Sequence, residues 1–230
     1  MGQDSLAEVF YFGFESGADI QALSYNYDPD QELVNFTLLY KNKKYNFEFN
    51  RVGKHNIYNA MVAILIAFKY NLNTSLIQAG LLKTEFSSLR MEFTELKNGT
   101  KIINDSYNAN PLAVKAALDV LAAKRGDRKI AVLASMLELG ESSAKKHQEI
   151  GEYVTQKNID ILITIGKEAE EIAIGAASKM ETEKIVSLAD NKACINFLLN
   201  EIKNGDLILI KGSRANKLEE IVKELRVEEH

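Results

Sequence analysis

The chain has 230 residues, with 28 Lys and Arg against 32 Asp and Glu for a formal charge of −4, and 46% of its residues are hydrophobic. That length holds one large domain or two modest ones, and the composition excludes disordered and fibrous classes. The mild acidity argues against a broad nucleic-acid-binding surface, and the single cysteine, Cys194, excludes an internal disulfide or a Cys-based metal site and suits a reducing compartment.

The opening segment MGQDSLAEVF carries Asp4 where a secretory signal has basic residues. Short β segments are expected at Val9–Phe14, Ile20–Tyr27, Leu33–Tyr40 and Lys43–Phe49. The last two are separated only by Lys41 and Asn42, a hairpin-length gap, and the stretch reads as an antiparallel meander. From Asn56 the period changes: Ala60, Ile64, Ala67 and Phe68 mark one face of a buried helix ending near Asn71, and a second helix covers Ser75–Leu82. The longest apolar run, Ala60–Phe68, falls short of the roughly 20 residues that span a bilayer. A soluble cytoplasmic protein with neither a membrane nor a nucleic-acid partner is the expectation.

After the connector TEFSSLR, strand and helix alternate. Strands are expected at Lys101–Asn104, Ile130–Ala134, Ile159–Ile165, Lys184–Leu188 and Leu207–Ile210. Helices are expected at Leu112–Lys124, Ser143–Lys157, Glu168–Lys179, Asn191–Lys203 and Asn216–Leu225. This alternation implies βαβ crossovers, hence an α/β fold with a mostly parallel, Rossmann-like sheet behind a β-rich and helical first part. The domain boundary is placed near Phe86–Leu89.

In open parallel sheets ligands gather at the C-terminal strand ends, so the loops there carry the information. After the first of these strands comes Asp105-Ser106-Tyr107-Asn108-Ala109-Asn110-Pro111. Asn110 suits a helix cap and Pro111 a first helical turn, but four further polar or aromatic residues exceed what a turn requires. After the second strand, Ser135–Glu141 reads as a loop anchored by Met136 and Leu139. Lys211-Gly212-Ser213-Arg214 places two cations at a strand end, a chemistry suited to carboxylate or phosphate recognition, with solvated surface charge as the alternative.

Gly53-Lys54-His55-Asn56-Ile57-Tyr58-Asn59 is not a phosphate loop of the Walker type, because His55 stands where Ser or Thr should follow. Asn56 and Asn59 share a helical face and could bond a heterocycle; alternatively Asn56 caps the helix. His147 is a lone helical histidine, by default a packing or surface residue. Three histidines in all argue against a His-rich metal site. The dinucleotide, hydrolase-elbow and zincin motifs are absent.

GKHNIYNA, SLRMEF, NDSYNANP, VLASMLELGE with KKHQEIGEY, and IKGSR, in this order, resemble the Mur ligases, and SYNANP and MLELGE resemble the branch that adds D-alanyl-D-alanine. The resemblance implies a ligase of peptidoglycan synthesis, which forms an amide through an acyl phosphate made with ATP and Mg2+. Its substrates would be UDP-N-acetylmuramoyl-tripeptide and D-Ala-D-Ala. It implies that residues 1–86 are the end of a central ATP-binding domain and 87–230 the C-terminal Rossmann-like domain. On that reading the uridine-binding domain, phosphate loop and metal ligands lie elsewhere, and the 230 residues form a monomeric C-terminal half that is inactive alone.

By motif match, His55, Asn56 and Asn59 belong to the ATP site, the two asparagines on the adenine. Arg90 would reach the ATP phosphates and Asp105 the ribose, both as catalytic residues, with Tyr107 also at the nucleotide. Ser106, Asn108 and Asn110 would meet the incoming dipeptide, and Lys211, Ser213 and Arg214 peptide carboxylates. Two departures from the family pattern are Ala134-Ser135, where Gly-Asp is usual, and Ala215-Asn216-Lys217 after the IKGSR segment. Other readings are a folylpolyglutamate-type amide ligase and a non-catalytic binding module.

Overall fold

The computed structural model describes residues 7–28, 30–84 and 88–227. Pro29, His230 and part of the boundary expected near Phe86–Leu89 lie outside them. The chain divides into two compact units, Met1–Glu85 and Phe86–His230.

The first unit is a four-stranded sheet in the order β1 (Phe12–Gly13), β2 (Ile20–Asp28), β3 (Leu33–Tyr40), β4 (Lys43–Phe49). Alternation builds its core: Val34, Phe36, Leu38 and Tyr40 of β3 and Phe47 and Phe49 of β4 are buried. The β3–β4 hairpin turns on Lys41 and Asn42, both at positive φ (48° and 60°), as a two-residue connection matching strand twist requires. The meander expectation needs one correction. Only Phe12–Gly13 of the first segment is strand, and it pairs parallel to β2.

Helices α1 (Lys54–Lys69) and α2 (Thr74–Leu82) complete this unit, with Ile57, Met61 and Ile64 in the core and Phe68 stacked on Tyr40 at a centroid distance of 5.1 Å. Asn56 does not cap α1. Gly53, at φ 109°, is the N-cap, so the helix starts earlier than the periodicity suggests.

The second unit holds a six-stranded sheet in the order β5-β6-β10-β7-β8-β9. Its strands are β5 (Glu92–Glu95), β6 (Lys101–Asp105), β7 (Lys129–Ala134), β8 (Ile161–Ile165), β9 (Ile185–Leu188) and β10 (Leu207–Lys211). All neighbours pair parallel except β5, an antiparallel edge strand that the sequence reading missed. Four half-exposed residues alternating Glu-Phe-Thr-Glu give too short a pattern to stand out.

The helices are α3 (Pro111–Ala123), α4 (Ser143–Val154), α5 (Glu170–Ala176), α6 (Asn191–Glu201) and α7 (Glu219–Val227). The crossovers through α3, α4 and α5 run one way across the sheet, and right-handed crossovers in one direction place helices on one face. The connection through α6 returns to insert β10 between β6 and β7, so α6 and α7 cover the opposite face with Cys194, Leu198, Ile221 and Leu225. Several helices are shorter than expected: α5 starts at Glu170 after a 3-10 turn, and α7 at Glu219.

Candidate functional site at the ends of β6, β7 and β10

The chain leaves β6 toward α3 on one face and β10 toward α7 on the other, so the crevice between these strands is a topological switch point. Lys211 and Asp105 are register partners there, and Lys211 Nζ lies 2.5 Å from Asp105 Oδ2. The same amine donates to the carbonyls of Asn108 (3.0 Å) and Asp105 (3.4 Å). Its three hydrogens are thereby used, and its side chain is 2% exposed. In this structure all the donors of Lys211, expected at a peptide carboxylate, are engaged within the chain, and it organises the β6 exit loop.

Asp105 is 14% exposed and joins two segments. Its Oδ1 accepts from Met91 N at 3.2 Å while Oδ2 holds Lys211. Each carboxylate oxygen has a second lone pair, so a ribose hydroxyl can still be received. Leu89 and Met91 stand at positive φ (63° and 48°), a conformation side-chain-bearing residues avoid unless held. Here Asp105 holds Met91, and Leu89 O accepts from Tyr107 N at 3.0 Å. The result fixes Arg90 between them, its guanidinium 4.0 Å from the centre of the Tyr107 ring.

Three more of the residues expected at the ligand also have partners within the chain. Ser106 is buried, its hydroxyl donating to Asn104 Oδ1 at 2.7 Å. Ser213 is buried, its Oγ accepting from Leu137 N at 2.9 Å. Asn110 Oδ1 is occupied as the cap of α3, accepting from Ala113 N at 2.8 Å, with Pro111 in the first turn. Arg90, Tyr107, Asn108 and Arg214 are exposed at this end of the sheet, Arg214 with Nη1 fixed 2.8 Å from Glu219 Oε1.

In the first unit, Asn56 is buried with its amide donating to Val52 O at 2.8 Å, Asn59 is exposed and His55 half-buried. Only Asn59 of the two asparagines therefore presents its whole amide. The anchors of the β7 exit loop also differ from expectation: Met136 is buried, but Leu139 is half-buried. Sequence reasoning missed Asn216, whose Nδ2 donates to Ser135 O at 2.9 Å, because a lone loop asparagine carries no spacing signal.

Among the described residues no group of three or more His, Cys, Asp or Glu could hold a metal ion, and no helix is long and apolar enough to cross a membrane.

Comparison with known proteins agrees with this architecture. The Mur ligase middle domain matches residues 2–67, and the Mur ligase, glutamate ligase domain matches residues 89–214. A Bacillus subtilis UDP-N-acetylmuramoyl-tripeptide–D-alanyl-D-alanine ligase is 37% identical over 175 residues, 76% of this chain and 38% of that protein. The crystal structure of MurF from Acinetobacter baumannii superposes with a TM-score of 0.81 at 26% identity, covering 95% of this chain and 46% of that one. MurF from Thermotoga maritima, solved with ADP, shares the fold with a TM-score of 0.78 at 23% identity, covering 96% of this chain and 48% of its own. The chain thus spans under half the length of these proteins, and by the domain that covers most of its second unit it belongs to the Mur ligase family.

Proposed function

We propose that the chain is the C-terminal half of an ATP-dependent ligase that joins D-Ala-D-Ala to UDP-N-acetylmuramoyl-tripeptide in the cytoplasm during peptidoglycan synthesis. In this reading residues 1–86 end the central ATP-binding domain and 87–230 form the Rossmann-like domain. The observation that carries it is the β6 exit loop, Asp105–Pro111, held at the switch point by Lys211 with Arg90 stacked on Tyr107. A carboxylate with spare acceptors beside a fixed guanidinium and an aromatic ring suits a nucleotide's ribose and phosphates.

Arg90 and Asp105 are assigned the nucleotide's phosphate and ribose, Asn59 with His55 and Asn56 the adenine side, and Arg214 with Asn108 the incoming peptide. ATP supplies the phosphoryl group that activates the tripeptide carboxylate, and the dipeptide amine then displaces phosphate. These residues bind and orient, which is where such reactions gain most of their rate. The described residues include no group of three or more His, Cys, Asp or Glu that could hold the Mg2+ of this reaction.

A phosphate-release assay on the full-length enzyme with D-Ala-D-Ala and competing amino acids tests the assignment. Stimulation by the dipeptide is expected. Stimulation by glutamate instead would move the chain to the folylpolyglutamate-type branch, and no stimulation would overturn the ligase reading. The reading also assigns the phosphate loop to sequence outside these 230 residues, so the 230-residue chain is expected to bind ATP weakly and not to turn over. Submicromolar ATP binding by calorimetry would contradict that.

A further inference from the structure

Arg90 stands between two left-handed residues, Leu89 at φ 63° and Met91 at φ 48°. Two side-chain-bearing residues held this way so close together are costly, and they persist only where the surroundings over-determine them. Packing from below does not do this: an open cavity of about 360 Å³ lies between Leu89, Glu92 and the face of α7 that carries Val222 and Arg226. The turn therefore depends on its backbone hydrogen bonds.

Asp105 and Tyr107 engage two of its backbone groups, Met91 N and Leu89 O. The group they leave is Leu89 N, which donates to Glu92 Oε2 at 3.3 Å. Glu92 opens β5 and pairs in register with Asn104 near the end of β6, so the acceptor is carried by the sheet and not by the loop. Its other oxygen lies 3.7 Å from Arg226 Nη2 of α7, a guanidinium that also reaches Thr94 Oγ1. The two side chains of that ion pair are 48% and 38% exposed, where charge pairing contributes little. A glutamate with only solvation to serve would point into water; this one turns back three residues to the backbone N–H next to Arg90.

We propose that Glu92 is a positioning residue for Arg90: by accepting the Leu89 N–H it sets the left-handed turn from which the guanidinium is presented to a phosphate-bearing ligand. This deepens the ligase reading and rests on it for the identity of that ligand as ATP. Asp105 and Tyr107 hold the turn from the β6 exit loop, whereas Glu92 holds it from the antiparallel edge strand. The edge strand β5 thereby acts on the site as well as extending the sheet.

The test is steady-state phosphate release by the full-length enzyme with ATP and D-Ala-D-Ala, for wild type, Glu92→Ala, Glu92→Gln and Glu92→Asp. Glu92→Ala is expected to raise the ATP KM about tenfold, the scale of losing one hydrogen bond to a charged group, with the dipeptide KM near wild type. Glu92→Gln keeps an acceptor at the same reach without the charge, and is expected to bring the ATP KM back to within about twofold of wild type. Glu92→Asp keeps the charge but is shorter by a methylene, and is expected to behave as Glu92→Ala does. An active wild type whose ATP KM is unmoved by Glu92→Ala, whose dipeptide KM rises equally, or whose Glu92→Gln variant is as impaired as Glu92→Ala overturns the inference alone. A wild type without dipeptide-stimulated turnover overturns the ligase reading. Calorimetric ATP binding to the same full-length proteins then decides the inference by itself. Binding about tenfold weaker for Glu92→Ala and recovered for Glu92→Gln upholds it, and equal affinities overturn it. If Glu92→Ala fails to fold, the contrast between Glu92→Gln and Glu92→Asp carries the same decision.

Discussion

Lys211 and Asp105 face each other across two adjacent parallel strands, 2.5 Å apart, with the lysine 2% and the aspartate 14% exposed. Removing one member strands a buried charge, whereas removing both leaves only polar and apolar surfaces to repack. Lys211→Met is therefore expected to cost about 3–5 kcal/mol in urea unfolding. Adding Asp105→Asn should recover much of that loss. A Lys211→Met variant as stable as wild type would show that the pair does not hold the β6 exit loop.

The crossing of α4 and α5 depends on two glycines. A Cβ on Gly151 would lie 2.0 Å from Ile172 O and 2.6 Å from Ala176 N, and one on Gly175 would lie 2.2 Å from Gln148 O. Backbone atoms of a neighbouring helix cannot give way as a side-chain tip does, so the helices must separate. Gly151→Ala is expected to destabilise by about 3 kcal/mol or more. Gly80, inside α2, has nothing within 4 Å of its Cβ position and an ordinary φ. There the same substitution should stabilise by about 0.5–1 kcal/mol. Thermal unfolding of the two variants checks the contrast, and equal effects would refute it.

The strand-helix alternation was legible because the central strands β7, β8 and β10 are buried on both faces and read as unbroken apolar runs, such as Ile130–Ala134. The edge strand β5 was not, since one strand at a sheet margin needs little hydrophobic content. The candidate loops were legible as polar density at strand ends, but which of their side chains are engaged within the chain was not. Sequence does not separate Arg90, exposed on the Tyr107 ring, from Lys211, equally cationic yet enclosed by three oxygens. That difference arises from pairing across strands 106 positions apart. His147 was unreadable for a related reason, because its partner is a backbone N–H that carries no side-chain signature.

Asn110 both caps α3 and borders the site, and the cap has a separable energy. Its Oδ1 satisfies the Ala113 N–H at 2.8 Å, one of the donors a helix start leaves open. Asn110→Ala is expected to lower stability by about 1 kcal/mol, and Asn110→Asp to keep most of it because aspartate accepts the same bond. Denaturant midpoints for the pair decide this; a tolerated alanine would mean that Pro111 alone fixes the helix start.

Cys194 lies fully enclosed on the buried face of α6, and burial pushes its thiol up from 9.0 to about 12. Between those values the unfolded chain releases the proton while the folded chain keeps it. The unfolded state then binds fewer protons, so stability falls as pH rises, by about 1.4 kcal/mol per pH unit. Below pH 9 both states are protonated and the thiol adds no pH dependence. Lys157 and Arg128 are also raised, by hydrogen bonds to Asp119 and Asp206, and their contributions are lost as pH climbs through their folded values. Those losses are common to wild type and Cys194→Ala, so the difference between the two proteins isolates the thiol. At pH 8 the alanine variant should be less stable by about 1 kcal/mol, the ordinary cost of a core truncation. At pH 10.5 that deficit should shrink by about 2 kcal/mol and so vanish or reverse. Urea unfolding of both proteins at the two pH values measures it, and a deficit that stays constant would show that the thiol ionises equally well in the folded chain.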